Sequence, residues 1–345
     1  MATIFELVTS AAITAYWEAQ SNQRAPYLGD ELFPPEQKLG LELKWIKGSA
    51  GLPVVLKPSA FDAEAMKRDR IGFEKLTAQM PFFKESTLID EELRQQLNMV
   101  LETGNQAYID SVMKRVFADE VSLLDGAAAQ RERIKMMALT TGAVSIAANG
   151  QAYDYDYGMP SGHKITVGKS WSDPTADVIT DIQTNMDLIE DDTGVRPTRA
   201  VCSRKTWGYI MKNNGIRNIL NGNNSNAPVT DTKVKQYFMD ELQLEVVIYT
   251  KKYKSETGAA TQYVADDIFV MFPSGALGTG WVGTTPEQSD LMSGTAANVS
   301  ITDVGVAVTT VKKTDPVNVD TKASMIYLPS FEAADEVSIL DVITG

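Results

Sequence analysis

The sequence is poor in the residues that most chemistry depends on. Its 345 residues include one cysteine, Cys202, and one histidine, His163. A lone thiol can form no internal disulfide, so the fold must stand on packing. Cys202, in the extended stretch RAVCS, reads as a small buried residue rather than a reactive one. One Cys and one His also exclude a zinc cluster. Long apolar runs are missing: none approaches the roughly 18 residues that cross a bilayer, so no membrane association is expected. The opening MATIFELVTSAAITAYW lacks a basic stretch and carries Glu6, which makes it a poor signal peptide and points to an intracellular product. Positive charge is scarce as well, with 32 Lys and Arg against 45 Asp and Glu, a net charge of -13. No basic stripe offers the clustered cations that displace counterions, so sequence-specific DNA binding is not expected. Any DNA nearby would be repelled rather than held.

What is present is ample core material, 43% hydrophobic residues, in a chain long enough for about two domains. In LGLELKWIKGSAGLPVVLKPSAF, Leu39, Leu41, Leu43 and Trp45 alternate with Gly40, Glu42 and Lys44, the period of a strand. Gly48 to Gly51 turns the chain, and Leu52, Val54, Val55 and Leu56 run back, so a hairpin with an unburied apolar face is expected. No proline occurs between Pro81 and Pro160. Inside that window Leu93, Leu97, Val100, Leu101, Tyr108, Val112 and Val116 recur at helical spacing, and the pattern resumes from Ala127 to Leu139. One long helix is expected over about 88–141, with Gly104 or Asp125-Gly126 as break points. Val144, Ile146, Tyr153, Tyr155 and Tyr157 then alternate around Asn149-Gly150, a hairpin turn.

A second unit opens at SWSDPTADVITDIQTNMDLIEDDTG, with Asp173 as helix N-cap, Pro174 at the first helical position and Gly194 as the stop. The strand RAVCS, a helix over 204–214 capped by Ser203 and stopped at Gly215, the polar loop NGNNSNAP, a helix over 231–242 and the strand LEVVIYT follow. From Tyr263 the chain is mainly extended, giving an α+β protein overall.

Catalytic patterns fail one by one. A Ser-His-Asp set would have to use His163, and no G-x-S-x-G elbow exists. Gly168-Lys169-Ser170 ends like a phosphate-binding loop, yet His163 stands where that loop needs glycine. The acidic pairs Asp154/Asp156, Asp191/Asp192 and Asp266/Asp267 lack the further oxygen ligands of a calcium site and read as solvated carboxylates. No enzyme, cofactor or metal is expected.

The order of an arm, an apolar hairpin, a long helix, a β-rich unit and a compact α+β insert resembles the lambda-like major capsid protein E family of tailed phages, with its Hong Kong-97 type fold. The resemblance is carried by PPEQKLGLELKWIKGSAGLPVVL as the E-loop, LLDGAAAQRERIKMMALTTGAVSI as the spine helix entering the P-domain sheet, WSDPTADVITDI opening the A-domain, and TDPVNVDTKASMIYLPSFEAADEVSILDV as the closing strands. It implies an N-terminal arm (1–38), an E-loop hairpin (39–61), a P-domain with the spine helix (62–170), an A-domain (171–260), and remaining A-domain and closing P-domain strands (261–345).

The resemblance further implies an icosahedral virion shell assembled in the host cytoplasm from hexamers and pentamers, enclosing double-stranded DNA. The E-loop residues Leu39, Leu41, Leu43, Trp45, Ile46, Leu52, Val54, Val55 and Leu56 would cover a neighbouring subunit. Asn221, Gly222, Asn223, Asn224, Ser225 and Asn226 would line a capsomer axis. A scaffolding protein on a separate chain, a portal and a decoration protein are the implied partners. An encapsulin-type compartment, a tail or surface-layer protein and a nucleotide hydrolase using Lys169 and Ser170 stand as alternatives.

Overall fold

The structure, a computed structural model, describes residues 8–21, 25–47, 74–89, 91–102, 106–222, 227–291, 297–302, 305–315 and 317–344. In chain order come α1 (Ser10–Ser21), α2 (Leu28–Leu32), β1 (Pro35–Lys38), β2 (Glu42–Lys47), β3 (Glu74–Gln79), β4 (Phe82–Ile89), α3 (Glu91–Glu102) and α4 (Gln106–Thr141). There follow β5 (Ala143–Ala148), β6 (Gln151–Asp156), β7 (Lys164–Thr166), α5 (Val178–Thr193), β8 (Arg199–Cys202), α6 (Arg204–Lys212), α7 (Asn214–Asn221) and α8 (Asp231–Leu242). The rest is extended: β9 (Glu245–Ile248), β10 (Lys252–Lys254), β11 (Ala260–Gln262), β12 (Ile268–Phe272), β13 (Gly280–Gly283), β14 (Asn298–Thr302), β15 (Val306–Thr314), β16 (Val317–Pro329) and β17 (Ser338–Asp341). The chain divides into two compact units, Met1–Leu43 with Ala78–Ile134 and Thr279–Ser330, and Lys44–Thr77 with Lys135–Gly278 and Phe331–Gly345.

The first unit is organised around β16, whose 13 residues are long enough to serve two strands on one edge. β15 lies along one side, from Val306↔Met325 to Thr314↔Val317. On the other side β4 pairs from Ile89↔Val319 to Phe82↔Ile326, and β13 takes over from Gly283↔Ile326 to Gly280↔Pro329. β1 and β14 close the sheet at its ends. Leu88 and Ile89, expected to begin the long helix, therefore end β4, because pairing with β16 and burial of Ile89 override their local helix preference.

Helix α4 runs for 36 residues, about 54 Å, and Asp125-Gly126 lies within it without a break. Its Val116, Glu120, Val121 and Leu124 are buried. Glu120 accepts a hydrogen bond from Thr87 Oγ1 of β4 at 2.7 Å, so this face of the helix lies on the sheet. α1 spans from β14, through Ser10 to Ser300 (3.1 Å), to α4, where Trp17 Nε1 donates to Asp125 (2.9 Å) and Tyr16 stacks on Phe117 (5.6 Å).

The second unit holds a five-stranded sheet in the order β7-β17-β12-β8-β9. β8 and β9 are parallel, joined through α6, α7 and α8, while β12 runs antiparallel to both its neighbours. Of the closing strands, β16 thus belongs to the six-stranded sheet and β17 to this one. Trp171, Trp207, Phe238 and Phe269 dominate its core with Ile182 and Met186 of α5. Both indole N–H groups are satisfied at the core margin, Trp171 by Asp181 (2.8 Å) and Trp207 by Asp231 (3.0 Å). Separately, β5 and β6 form the expected hairpin, with Asn149 (φ 52°) and Gly150 (φ 74°) both left-handed as a two-residue turn requires.

Two helix limits differ from expectation. α5 starts at Val178 under an Asp177 cap, because Asp173 spends its Oδ1 on the N–H and hydroxyl of Thr175, both at 2.8 Å, and holds a turn instead. The helix expected over 204–214 is split at Asn213, whose extended backbone ends α6 and whose Oδ1 caps α7 at Ile216 N (3.1 Å). Gly215 is inside α7, while Gly194 (φ 77°) ends α5 as expected.

Glu120 offers a test of the helix–sheet joint. Burial raises its pKa above the ordinary carboxylate value, Thr87 and Thr321 opposing this and Asp119 and Asp320 adding to it. A carboxyl raised on folding makes the native state the greater proton binder, so its contribution to stability falls as pH rises through the folded pKa. Glu120→Gln should stabilise the protein by about 1 kcal/mol at neutral pH, with the gain vanishing below about pH 4 where the native carboxyl is already neutral; denaturant melts across pH would measure it.

Candidate assembly interface

The apolar hairpin expected after Leu39 has a different construction. Gly40, at φ 89°, bends the chain between β1 and β2, which places Leu39 and Leu41 in the bend rather than on a strand. β2 carries Trp45 and Ile46 and pairs with β3. The stretch Leu52 to Leu56, Val54 and Val55 included, lies with the Gly48 to Gly51 turn outside the described residues.

The root of this two-stranded arm is tied to the six-stranded sheet. Met80 N donates to Leu41 O at 2.9 Å, and β1 delivers Lys38 opposite Gly283. Gly283 and Phe82 both face Ile326 along one edge of β16, and a Cβ on Gly283 would stand 2.6 Å from Ile326 Cγ2. Glycine is needed there for the strands to close up. Around this junction Leu39 is 85% exposed, Leu41 44% and Phe82 38%, and Leu88 on the same outer face of β4 is 52% exposed. Leu43 corrects the expectation of a uniformly free apolar face, because it is fully buried in its own chain. The bend at Gly40 shifts which leucines point inward, so residues that share parity in the sequence do not share a surface.

In the second unit, Asn221 ends α7 and its Nδ2 donates to Ala227 O (3.1 Å), drawing together the two ends of the expected axis loop. Gly222 (φ 63°) turns the chain there, and Asn223, Asn224, Ser225 and Asn226 lie outside the described residues. Ile219 of α7 and Met239 of α8 are exposed apolar residues of this unit.

Several of the residues weighed for catalysis have structural partners. His163 is buried with its Nε2 3.0 Å from Asp192 Oδ2. Lys169 is held by Asp173 (3.1 Å) and Thr175. Asp266 accepts from Ser203 Oγ (2.7 Å), and Asp267 from Lys205 Nζ (2.7 Å) and Tyr209 OH (2.9 Å), so this pair fastens the start of α6 rather than standing solvated. Its role was hidden from sequence because the partners lie some sixty residues away. Asp154 and Asp156 are exposed, Asp156 accepting from Gly158 N (2.8 Å). Cys202 is fully buried, and burial pushes its thiol up to about 12. Among the described residues no group of three His, Cys, Asp or Glu could hold a metal, and no helix is long and apolar enough to cross a membrane.

The model of the family described as phage major capsid protein E matches residues 9–342. The chain belongs to this family. A phage major capsid protein E builds the shell of a tailed-phage virion from copies of itself, and it is a structural protein rather than an enzyme. Solved structures share its fold. A candidate prophage capsid protein from Escherichia coli CFT073 is 15% identical, with 97% of this chain and 99% of that one covered at a TM-score of 0.62. A phage-related protein from Bordetella bronchiseptica RB50 is 14% identical over 97% of each chain, at 0.56. The capsid asymmetric unit of cyanophage A-1(L) gives 12% identity over 92% of each, at 0.51. No curated protein matches the sequence. The fold of the major capsid protein E chain is thus that of tailed-phage capsid proteins.

The split between buried and exposed leucines can be measured in the unassembled protein. Leu43→Ala should cost about 2–5 kcal/mol in a denaturant melt, as for a large-to-small change in a core. Leu39→Ala should stay within about 0.5 kcal/mol of the parent.

Proposed function

We propose that the arm rooted at Leu39 and Leu41, with Trp45 and Ile46 on β2 and Leu52, Val54, Val55 and Leu56 farther along, is the E-loop that lies over the adjacent subunit. Residues 1–38 would serve as the N-terminal arm, 62–170 as the P-domain with α3 and α4 as spine, and 171–260 with part of 261–345 as the A-domain. The supporting observation is the cluster of exposed Leu39, Leu41 and Phe82 where the arm leaves the sheet, an apolar surface of the kind that marks a partner site. At about 25 cal/mol per Å², covering a few hundred Å² contributes several kcal/mol before the costs of association. Contacts this weak leave single subunits soluble and gain their effect by summing over a closed lattice.

In the same reading, the loop containing Asn221, Gly222, Asn223, Asn224, Ser225 and Asn226 meets its copies at hexamer and pentamer axes. Weak contacts under-specify curvature, so a scaffolding protein sets shell size, a portal occupies one vertex, and a decoration protein is a further candidate partner. The enclosed double-stranded DNA is confined without sequence-specific binding, as the net charge of -13 requires.

Leu39→Asp combined with Leu41→Asp tests this at positions whose exposure spares the fold. The expected result is a soluble protein with the parent's melting behaviour that forms no closed shells by negative-stain microscopy, with or without scaffolding protein. Normal particles from the variant would remove the E-loop assignment.

A further inference from the structure

The C-terminal half of α5 breaks the usual rule for helix charge. Its end carries Glu190, Asp191 and Asp192 with no basic residue in the last turn, at the pole where the helix dipole disfavours carboxylates. Two of the three are answered within the chain: Arg196 Nη1 bridges Asp187 (2.6 Å) and Glu190 (2.5 Å), and Asp192 meets His163. Among the described residues Asp191 has neither a hydrogen-bond nor an ion-pair partner. It lines a groove of about 330 Å³ whose other walls are Ile165, Thr184, Asn185, Asp187 and Leu188. Asn185, only 5% exposed, sends its Nδ2 to Asp181 O (2.7 Å) and leaves its Oδ1 as a buried acceptor with no donor.

This combination specifies a ligand. The Asp191 carboxylate and the unpaired Asn185 amide oxygen only accept, and the Thr184 hydroxyl can accept, a lining that suits a donor-only group, which among side chains means an ammonium or a guanidinium. Ile165 and Leu188 supply apolar walls for the methylene stem of such a side chain. A hard cation fits less well, because it needs about 6–8 oxygens and Asp187 is already engaged by Arg196.

The same unit carries a matching donor. Lys252 and Lys254 are exposed, project from the same side of β10, and lie opposite Gln262 and Ala260, so neither has a carboxylate across the ladder. Between them Tyr253 packs on Tyr263 (4.9 Å), which packs on Tyr249 (6.1 Å), and this anchors the hairpin that presents both ammonium groups. We propose that the groove beside α5 receives Lys252 or Lys254 from the β10–β11 hairpin of a second copy of this chain. The contact rests on the shell reading, since only an assembled lattice brings copies side by side permanently. It supplies an electrostatic register between subunits that apolar contacts alone do not fix.

Charge reversal and restoration test it. Asp191→Lys, and Lys252→Glu with Lys254→Glu, change exposed positions and should fold as the parent does by circular dichroism and thermal melting. Each should lower the yield of closed shells at low ionic strength by about tenfold, and the three substitutions together should recover most of it. In parent shells a zero-length carbodiimide cross-link should join Asp191 to Lys252 or Lys254 of another chain, and be absent from unassembled protein. If the parent closes shells and the reversed variants do so equally well, or if parent shells give no such cross-link, the contact is wrong while the shell reading stands. If the parent forms no shells under any condition, both fall.

Discussion

The meeting of two strands at Ile326 governs what the first unit offers to its surroundings. β4 ends its pairing with Phe82 opposite this residue, and β13 begins with Gly283 opposite it, so both occupy one edge of β16 in succession. Closing that junction needs the missing side chain of Gly283. β1 is bound to the far side of β13, so the chain reaches Gly40 already fixed in position, and the bond from Met80 N to Leu41 O fastens the returning strand beside it. Phe82 lies on a strand committed to β16, and Leu39 and Leu41 flank Gly40 between β1, held by β13, and β2, so all three stay exposed. Their side chains cannot turn inward without unpairing the sheet.

Where the residues needed for an element are neighbours in sequence, the element could be read directly. The Asn149-Gly150 turn needs two left-handed residues between alternating strands, and the sequence supplies them adjacently. Gly194 closing α5 and the limits of α8 are local in the same way. The long helix was legible from spacing and from the absence of proline. What could not be read depends on distant partners. Leu88 and Ile89 read as the start of the long helix until β16, more than two hundred residues later, pairs with them. Asp173 looks as good a cap as Asp177, and only the hydrogen bonds to Thr175 decide between them. The pairing of β2 with Glu74–Gln79 could not be read from spacing, because that segment lies some thirty residues on in a charged, mixed stretch without clear alternation. Family membership was legible for another reason, because it rests on the order of segments along the chain.

The scarcity of Cys and His and the surplus of acid belong to one physical pattern. A subunit made in many copies must remain dispersed until it meets its lattice, and a net charge of -13 keeps separate copies apart at long range. That repulsion is screened over about 10 Å at moderate ionic strength, while apolar contact acts only at touching distance. Among the described residues each unit exposes only a few large apolar residues, such as Leu39 and Leu41 in the first and Ile219 and Met239 in the second.

The internal wiring of charge follows the same economy. Acidic side chains that serve the subunit's own fold are each matched: Asp181 and Asp231 to indoles, Asp266 and Asp267 to the start of α6, Glu287 to Lys322 (2.7 Å) and Ser324 (2.9 Å). Burial would raise the pKa of Glu287, yet these partners outweigh it and its carboxyl titrates below the ordinary value. Glu120 is the contrast, bonded by the Thr87 hydroxyl with no cation beside it, and burial prevails. Hydroxyls stabilise a carboxylate but carry no charge to offset its desolvation, whereas the ammonium of Lys322 does both. A strand that must stay put, β16, is thus pinned on its Lys322 and Ser324 side by an ion pair. Its opposite side carries Thr321 near the Glu120 carboxyl of the long helix, which takes its hydrogen bond from Thr87 of the neighbouring β4 and whose pKa burial raises. The two sides of one strand differ in what it would take to loosen them.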